Sequence, residues 1–242
     1  MATPAQRTNT WETDSWYDQA VAGTQGEYQG EKELWVWGGA NNGKLGLNNQ
    51  TSISSPTQLP AGPGTNAWTS IVNNYSAGPG TNQNENGNET MFAIKNSTEL
   101  WAWGKNELGE IPISNDTSYS SPKQIPGSWS KVYATKWGGA GINTDGELWM
   151  WGYNSQGTLG QNEKESTRFG YSSPVQVPGT WSDLLSYRTS NLAFKTDGTL
   201  WAWGSGGQGN LGQNNRTSYS SPVQVPGTTW SHFPKGVGGW NR

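Results

Sequence analysis

Cysteine is absent from this 242-residue chain, which excludes disulfides and thiolate metal sites and says nothing about compartment. Histidine occurs once, at His232. A Ser-His-Asp triad would therefore have to be built around one residue near the C-terminal end, and packing is the expected role for it. Positive charge is scarce: 15 Lys and Arg stand against 18 Asp and Glu, for a net charge of −3. No basic stripe is present to neutralise phosphates, so no nucleic acid is expected as a partner. No apolar run approaches membrane-spanning length, and Met-Ala-Thr-Pro-Ala-Gln-Arg-Thr at the start has no apolar secretory core. The expectation is synthesis in a cytoplasm, without membrane insertion. Aliphatic residues are also few. Leu, Ile, Val and Phe together number 33 of 242, a level that by itself suggests a poor core.

Tryptophan reverses that conclusion. There are 16, each able to bury on the order of 200 Å², and most fall at fixed points of a repeat. Leu-Trp-x-Trp-Gly begins at Leu34, Leu100, Leu148 and Leu200. Each copy is followed by Ser-Ser-Pro, ending at Pro56, Pro122, Pro174 and Pro222, and then by a lone tryptophan, Trp68, Trp129, Trp181 and Trp230. A period of roughly 50 residues marks an array of supersecondary units. Side chains alternate along a strand, so Trp101 and Trp103 face one way and Leu100 and Ala102 the other. Apolar on both faces, such a strand is expected between neighbouring sheets. Trp35, Trp37, Trp101, Trp103, Trp149, Trp151, Trp201 and Trp203 are the expected structural core. A preceding strand such as Asn191 to Lys195 is joined through Asp197-Gly198, as another is through Asp145-Gly146, and this pair of residues predicts a type I′ hairpin turn. The lone tryptophan opens a further strand (Trp181 to Ser186), and Pro-Val-Gln-Val supplies a fourth. Four antiparallel strands per unit predict an all-β propeller of about four blades.

The runs Trp151-Gly-Tyr-Asn-Ser-Gln-Gly-Thr-Leu-Gly160-Gln, Ser-Ser-Pro174-Val-Gln-Val-Pro-Gly179-Thr-Trp181 and Lys195-Thr-Asp-Gly-Thr-Leu-Trp-Ala-Trp-Gly204 closely resemble the RCC1 repeat (regulator of chromosome condensation), over about residues 28 to 236. The resemblance implies a propeller, typically seven-bladed in that family, whereas four units occur here. Family members include an exchange factor that docks on chromatin, photoreceptor-type domains and a bacterial inhibitor of β-lactamase, so the fold does not fix function. The phase of the repeat has Tyr28 to Leu34 entering as a second strand and Trp230 to Lys235 supplying a first strand. The two ends are thus expected to share one blade and remove open edges. Two chains sharing a larger ring, a homo-oligomer, is the alternative.

Two motifs are decoys. Gly38-Gly-Ala-Asn-Asn-Gly43-Lys44-Leu45 is one residue short of a P-loop and has leucine where magnesium would need a hydroxyl. Gly204-Ser-Gly206-Gly-Gln-Gly209 imitates a dinucleotide fingerprint but opens no helix. Both are expected to be structural turns. Glu85, Glu89, Glu107 and Glu110 match no calcium loop and are expected to be solvated loop charges. Six Asn-x-Ser/Thr sequons, Asn49 and Asn215 among them, follow from composition. No catalytic constellation, cofactor or metal site is expected.

Departures from the repeat are the expected carriers of function. Trp68 to Leu100 spans 32 residues against 19 in the next two units, which places an insertion around Ala77 to Thr90. Leu148 to Pro174 spans 26 against 22, an insertion near Glu163 to Gly170. Both loops are expected on one face, with Tyr119, Tyr171 and Tyr219. That face, with Asn82, Asn84, Glu85, Arg168 and Phe169, is the candidate binding surface for protein or glycan, the alternative being tyrosines packed on neighbouring blades. Residues 1–26 lie outside the repeats, and 27–242 form the propeller. The leader, with Trp11, Trp16 and Tyr17, resembles those of RCC1-repeat proteins of marine cyanobacterial phages. It is expected to be a partner-docking arm, or else an arm folded onto its own propeller. The resulting expectation is a non-enzymatic virion structural protein: a decoration, fibre or host-attachment module that docks on other virion proteins and presents its propeller to a host-surface protein or glycan. A protein-binding regulator or inhibitor and a glycan-binding lectin are the alternatives.

Overall fold

The computed structural model describes residues 33–60, 68–73, 89–163, 170–227 and 230–233. Within them the repeat becomes sheets. The first unit contributes β1 (Trp35–Gly38) and β2 (Ile53–Gln58), an antiparallel pair. The second forms β3 (Trp68–Asn73), β4 (Thr90–Lys95), β5 (Glu99–Gly104) and β6 (Tyr119–Ile125). The third forms β7 (Trp129–Thr135), β8 (Gly138–Asn143), β9 (Leu148–Gly152) and β10 (Tyr171–Val177), and the fourth β11 (Trp181–Tyr187), β12 (Ser190–Lys195), β13 (Leu200–Gly204) and β14 (Tyr219–Gln224). Each four-stranded sheet is a meander whose sequence neighbours pair. The expected all-β propeller of four-stranded blades is thus the observed fold.

The Ser-Ser-Pro triplet always lies in the last strand, at a break in register. Ala102 pairs with Lys123 and Gly104 with Tyr119, so the ladder slips across Ser120, Ser121 and Pro122, and β14 slips in the same way between Ala202 and Gly204. Proline cannot donate to a ladder, and the outermost strand at a bulge is where a sheet tolerates it.

The core lies between sheets, as the two-faced strands require. Trp103, Trp151 and Trp203 have no exposed surface, and each indole points at the sheet before its own. Trp151 packs with Phe92, Ile94 and Leu100 of the second sheet. Its ring meets Phe92 at 5.7 Å and Trp129 at 6.0 Å between centroids, both edge to face, a geometry that adds to the gain from burial. Trp101, Trp149 and Trp201, two residues earlier, are half-buried at the rim of the same face. Two of the expected core indoles depart from the pattern: Trp35 is 40% and Trp37 61% exposed, because no described sheet precedes β1 to cover them.

The hairpin turns are as tight as expected but of another type. Gly198 donates its N–H to the Lys195 carbonyl, and Lys195 to that of Thr199. Only Gly198 has positive φ (+83°). The loop is therefore three residues long, a type I turn followed by a left-handed glycine. Asp197 accepts the Thr199 hydroxyl and N–H, and those bonds hold its carboxyl below the usual range.

Strand sharing between the two ends falls largely on residues outside those described, as does the 26/27 boundary. At the C-terminal side, Trp230–Phe233 is not in a strand. Trp230 and Phe233 pack on Leu192, Phe194 and Leu200 of the fourth sheet, with Phe233 4.7 Å from Phe194 between ring centroids. Trp230 thereby takes on the fourth sheet the place that Trp181 takes on the third.

Candidate functional site

A groove of about 350 Å³ opens between the third and fourth sheets, lined by Gln161, Asn162, Pro178, Lys195, Trp201 and Pro222. Its position follows from the repeat. β12 ends at Lys195 just before the turn, and Trp201 is the half-buried first indole of β13, so the two lie side by side where Ala193 and Phe194 pair with Trp201 and Leu200. The Lys195 ammonium sits 3.9 Å from the centre of the Trp201 ring and 5.2 Å from that of Trp181, a cation held between two indole faces. Pro178 and Pro222 wall the groove from the third and fourth sheets. Gln161 donates to the carbonyls of Leu159 and Gln176, and Asn162 accepts from the Ser221 hydroxyl. Those carboxamides brace the wall, leaving indole, proline and ammonium as the contact chemistry. The position equivalent to Lys195 is Asn143 in the third sheet, while in the second it is Lys95, fully buried and 5.7 Å from the Trp101 ring. That alternation is the one sequence signal by which the groove could have been found.

The tyrosines expected to form a binding face are half-buried and committed. Tyr119, Tyr171 and Tyr219 pack against three successive hydrophobic clusters. Asn115 and Asn215 donate to the hydroxyls of Tyr119 and Tyr219 at 3.1 Å, and the Tyr171 hydroxyl donates to Glu163. This is the packing alternative. Asn82, Asn84, Glu85, Arg168 and Phe169, expected on that face, and Trp11, Trp16 and Tyr17, expected in the arm, lie outside the described residues.

The acidic residues are dispersed. Glu89 receives Asn42 and Lys44 of the first unit's loop, so the lysine of the P-loop-like run is engaged in a contact between units. Glu107 pairs with Lys105 at 3.0 Å. Glu110, expected to be solvated, is instead 1% exposed. It accepts the Leu108 N–H at 2.6 Å, and burial raises its carboxyl above the usual range. His232 is exposed, its ring 2.8 Å from the Ser231 hydroxyl, rather than packed. Among the described residues no three His, Asp or Glu side chains gather as metal ligands. A further polar contact ties the third sheet to the fourth: the Tyr133 hydroxyl donates to Asp183 at 2.6 Å, and burial together with that bond raises the phenol well above its ordinary value.

The architecture defines a β-propeller of tandem four-stranded blades. The repeat itself is that of RCC1: the family profile "Regulator of chromosome condensation (RCC1) repeat" matches residues 32–72, 145–182 and 197–234, so the chain carries RCC1 repeats. The unmatched stretch between the first two segments contains the longer insertion, yet its described part builds the same sheet. Among relatives, human E3 ubiquitin-protein ligase HERC2 is 25% identical over 191 residues, 75% of this chain and 4% of that protein. The Arabidopsis thaliana mitochondrial RCC1 domain-containing protein RUG3 is 24% identical over 194 residues, 76% and 40%. Human WBSCR16 superposes with a TM-score of 0.61 at 22% identity, covering 81% of this chain and 49% of that one. Yeast RCC1 (Prp20), in its crystal structure bound to Kap60, gives 0.60 at 14%, covering 81% and 45%. The chain thus spans less than half the length of each of these proteins.

Proposed function

We propose that this chain is a non-enzymatic propeller that binds a protein partner, and that the groove at Lys195 and Trp201 receives an extended, acidic segment of it. The observation that carries the reading is the ammonium suspended between indole faces in a proline-walled groove. An indole and two prolines offer rigid apolar contact at little entropic cost, and Lys195 supplies one positive charge to a carboxylate. The Gln161 amide N–H groups are spent on the carbonyls of Leu159 and Gln176, so the groove presents mainly apolar and cationic contact. Supporting the class of partner, a similar fold is bound to a protein in the Kap60–Prp20 crystal structure, and another report on Prp20p concerns binding to Gsp1p and histones.

Peptides selected by display on the purified chain are expected to carry Asp or Glu beside Pro or an aromatic residue. Their affinity should fall at least about tenfold with Lys195→Glu, a loss of roughly 1.4 kcal/mol or more, and likewise with Trp201→Ala, with each variant tested below its own melting temperature, where it remains folded. Undiminished binding by both variants would overturn the reading.

A finer reading, a virion component whose arm docks on a capsid or tail neighbour, is supported by the leader sequence around Trp11, Trp16 and Tyr17. Its readout is incorporation of the chain into particles with and without residues 1–26, and equal incorporation would sink it.

A further inference from the structure

Successive units are joined by the same three contacts. In the loop after each Leu-Trp-x-Trp-Gly strand, a left-handed glycine lies under the first serine of the next unit's Ser-Ser-Pro. A Cβ added at Gly43 would stand 2.4 Å from Ser120, one at Gly109 2.9 Å from Ser172, and one at Gly157 2.4 Å from Ser220. One residue on, a carbonyl receives the buried indole of the next unit: Trp103 donates to Lys44, Trp151 to Glu110 and Trp203 to Thr158, at 2.8 to 2.9 Å. Five residues after the glycine, a backbone N–H reaches that same serine's carbonyl: Asn48 to Ser120, Ser114 to Ser172 and Asn162 to Ser220, at 2.7 to 2.8 Å.

The fourth unit carries the loop half of this joint complete. Gly209 has φ +76°, against +76°, +78° and +75° at its counterparts, followed by Asn210 and Asn214. Yet among the described residues nothing stands within 4 Å of a Cβ at Gly209. The first unit carries the other half. Trp37 is 61% exposed where its counterparts are 0%, and Ser54, Ser55 and Pro56 are exposed. A socket at one edge and a plug at the other are complementary by three internal copies of the same contact, and within one chain they are apart.

We propose that they meet between chains: the first unit of one copy seats on the fourth unit of a second copy, the Trp37 indole donating to the Asn210 carbonyl and Asn214 N–H to that of Ser54. The joint is heterologous, so two copies close on themselves only if each gives a plug and a socket. The proposal is independent of the Lys195 groove, whose loss leaves both edges intact.

The test is the mass of the full chain in sedimentation at concentrations up to ~100 µM, ample for a weak but specific homodimer. A dimer is expected. Trp37→Glu destroys the plug, and Gly209→Asn fills the socket with a residue that tolerates left-handed φ. Each variant alone should be a monomer with the melting profile of a folded chain, and mixing the two should restore a dimer, because each keeps the half that the other lacks. A monomeric wild type would overturn the proposal, and a lowered melting temperature in Trp37→Glu would then show that the edge is covered within the chain. A dimer that survives either substitution, or a mixture that stays monomeric, would overturn it as well.

Discussion

Trp151→Ala is expected to remove about 3 to 5 kcal/mol of stability, the range for a lost core aromatic. The side chain is fully buried, its ring meets Phe92 and Trp129 edge to face, and its N–H donates to the Glu110 carbonyl at 2.9 Å. Removal leaves a cavity between the second and third sheets and a buried carbonyl without that donor, each a separate penalty. Since whole domains are stable by only about 5 to 15 kcal/mol, the variant should unfold at much lower urea than wild type. A shift of less than about 1 kcal/mol would mean that the indole does not hold the sheets together.

The second large effect is a contrast between two glycines with nearly the same backbone. Gly157→Ala places a Cβ 2.4 Å from Ser220, against strand β14 of the next unit. The substitution adds overpacking of typically about 1 to 3 kcal/mol to the left-handed strain of about 1 to 2 kcal/mol. It should also loosen the Asn162 to Ser220 bond. Gly209→Ala, at φ +76° with open space around it, carries the strain alone. Measured by urea denaturation in the Trp37→Glu background, which keeps the chain monomeric, the first should be the more destabilising by about 1 to 3 kcal/mol. Equal losses would mean that Gly157 is not a packing position.

The framework was legible because the repeat states it several times. Strand identity and the alternation of Trp103 with Ala102 follow from residue spacing, since period-2 burial is a local fact, whereas the bulge that extends the last strand back to the tyrosine before Ser-Ser-Pro was not read. Turn type was legible only in part. Asp197-Gly198 marks the hairpin, but whether the loop takes two residues or three depends on strand register, which sequence spacing leaves open. The exposure of Trp35 and Trp37 could not be read, since identical motifs are buried or exposed according to whether a sheet precedes them. Glu110 resembles a solvated loop charge in sequence, and only the packing of its loop under the Trp151 indole buries it. The groove went unnoticed because Gln161 of the third unit meets Lys195 and Pro222 of the fourth only across a joint, and each sits inside a repeat motif that reads as framework.

The units are held by the joint: in the second, third and fourth, a buried indole donates to the loop of the unit before it. Hydrogen exchange of the tryptophan indole N–H groups, followed residue by residue by NMR, tests it most directly. The signals of Trp103, Trp151 and Trp203 should persist in deuterated buffer long after those of the exposed indoles have vanished, in proportion to the stability that protects them. If those three exchange as fast as Trp35, the units are not joined in this way.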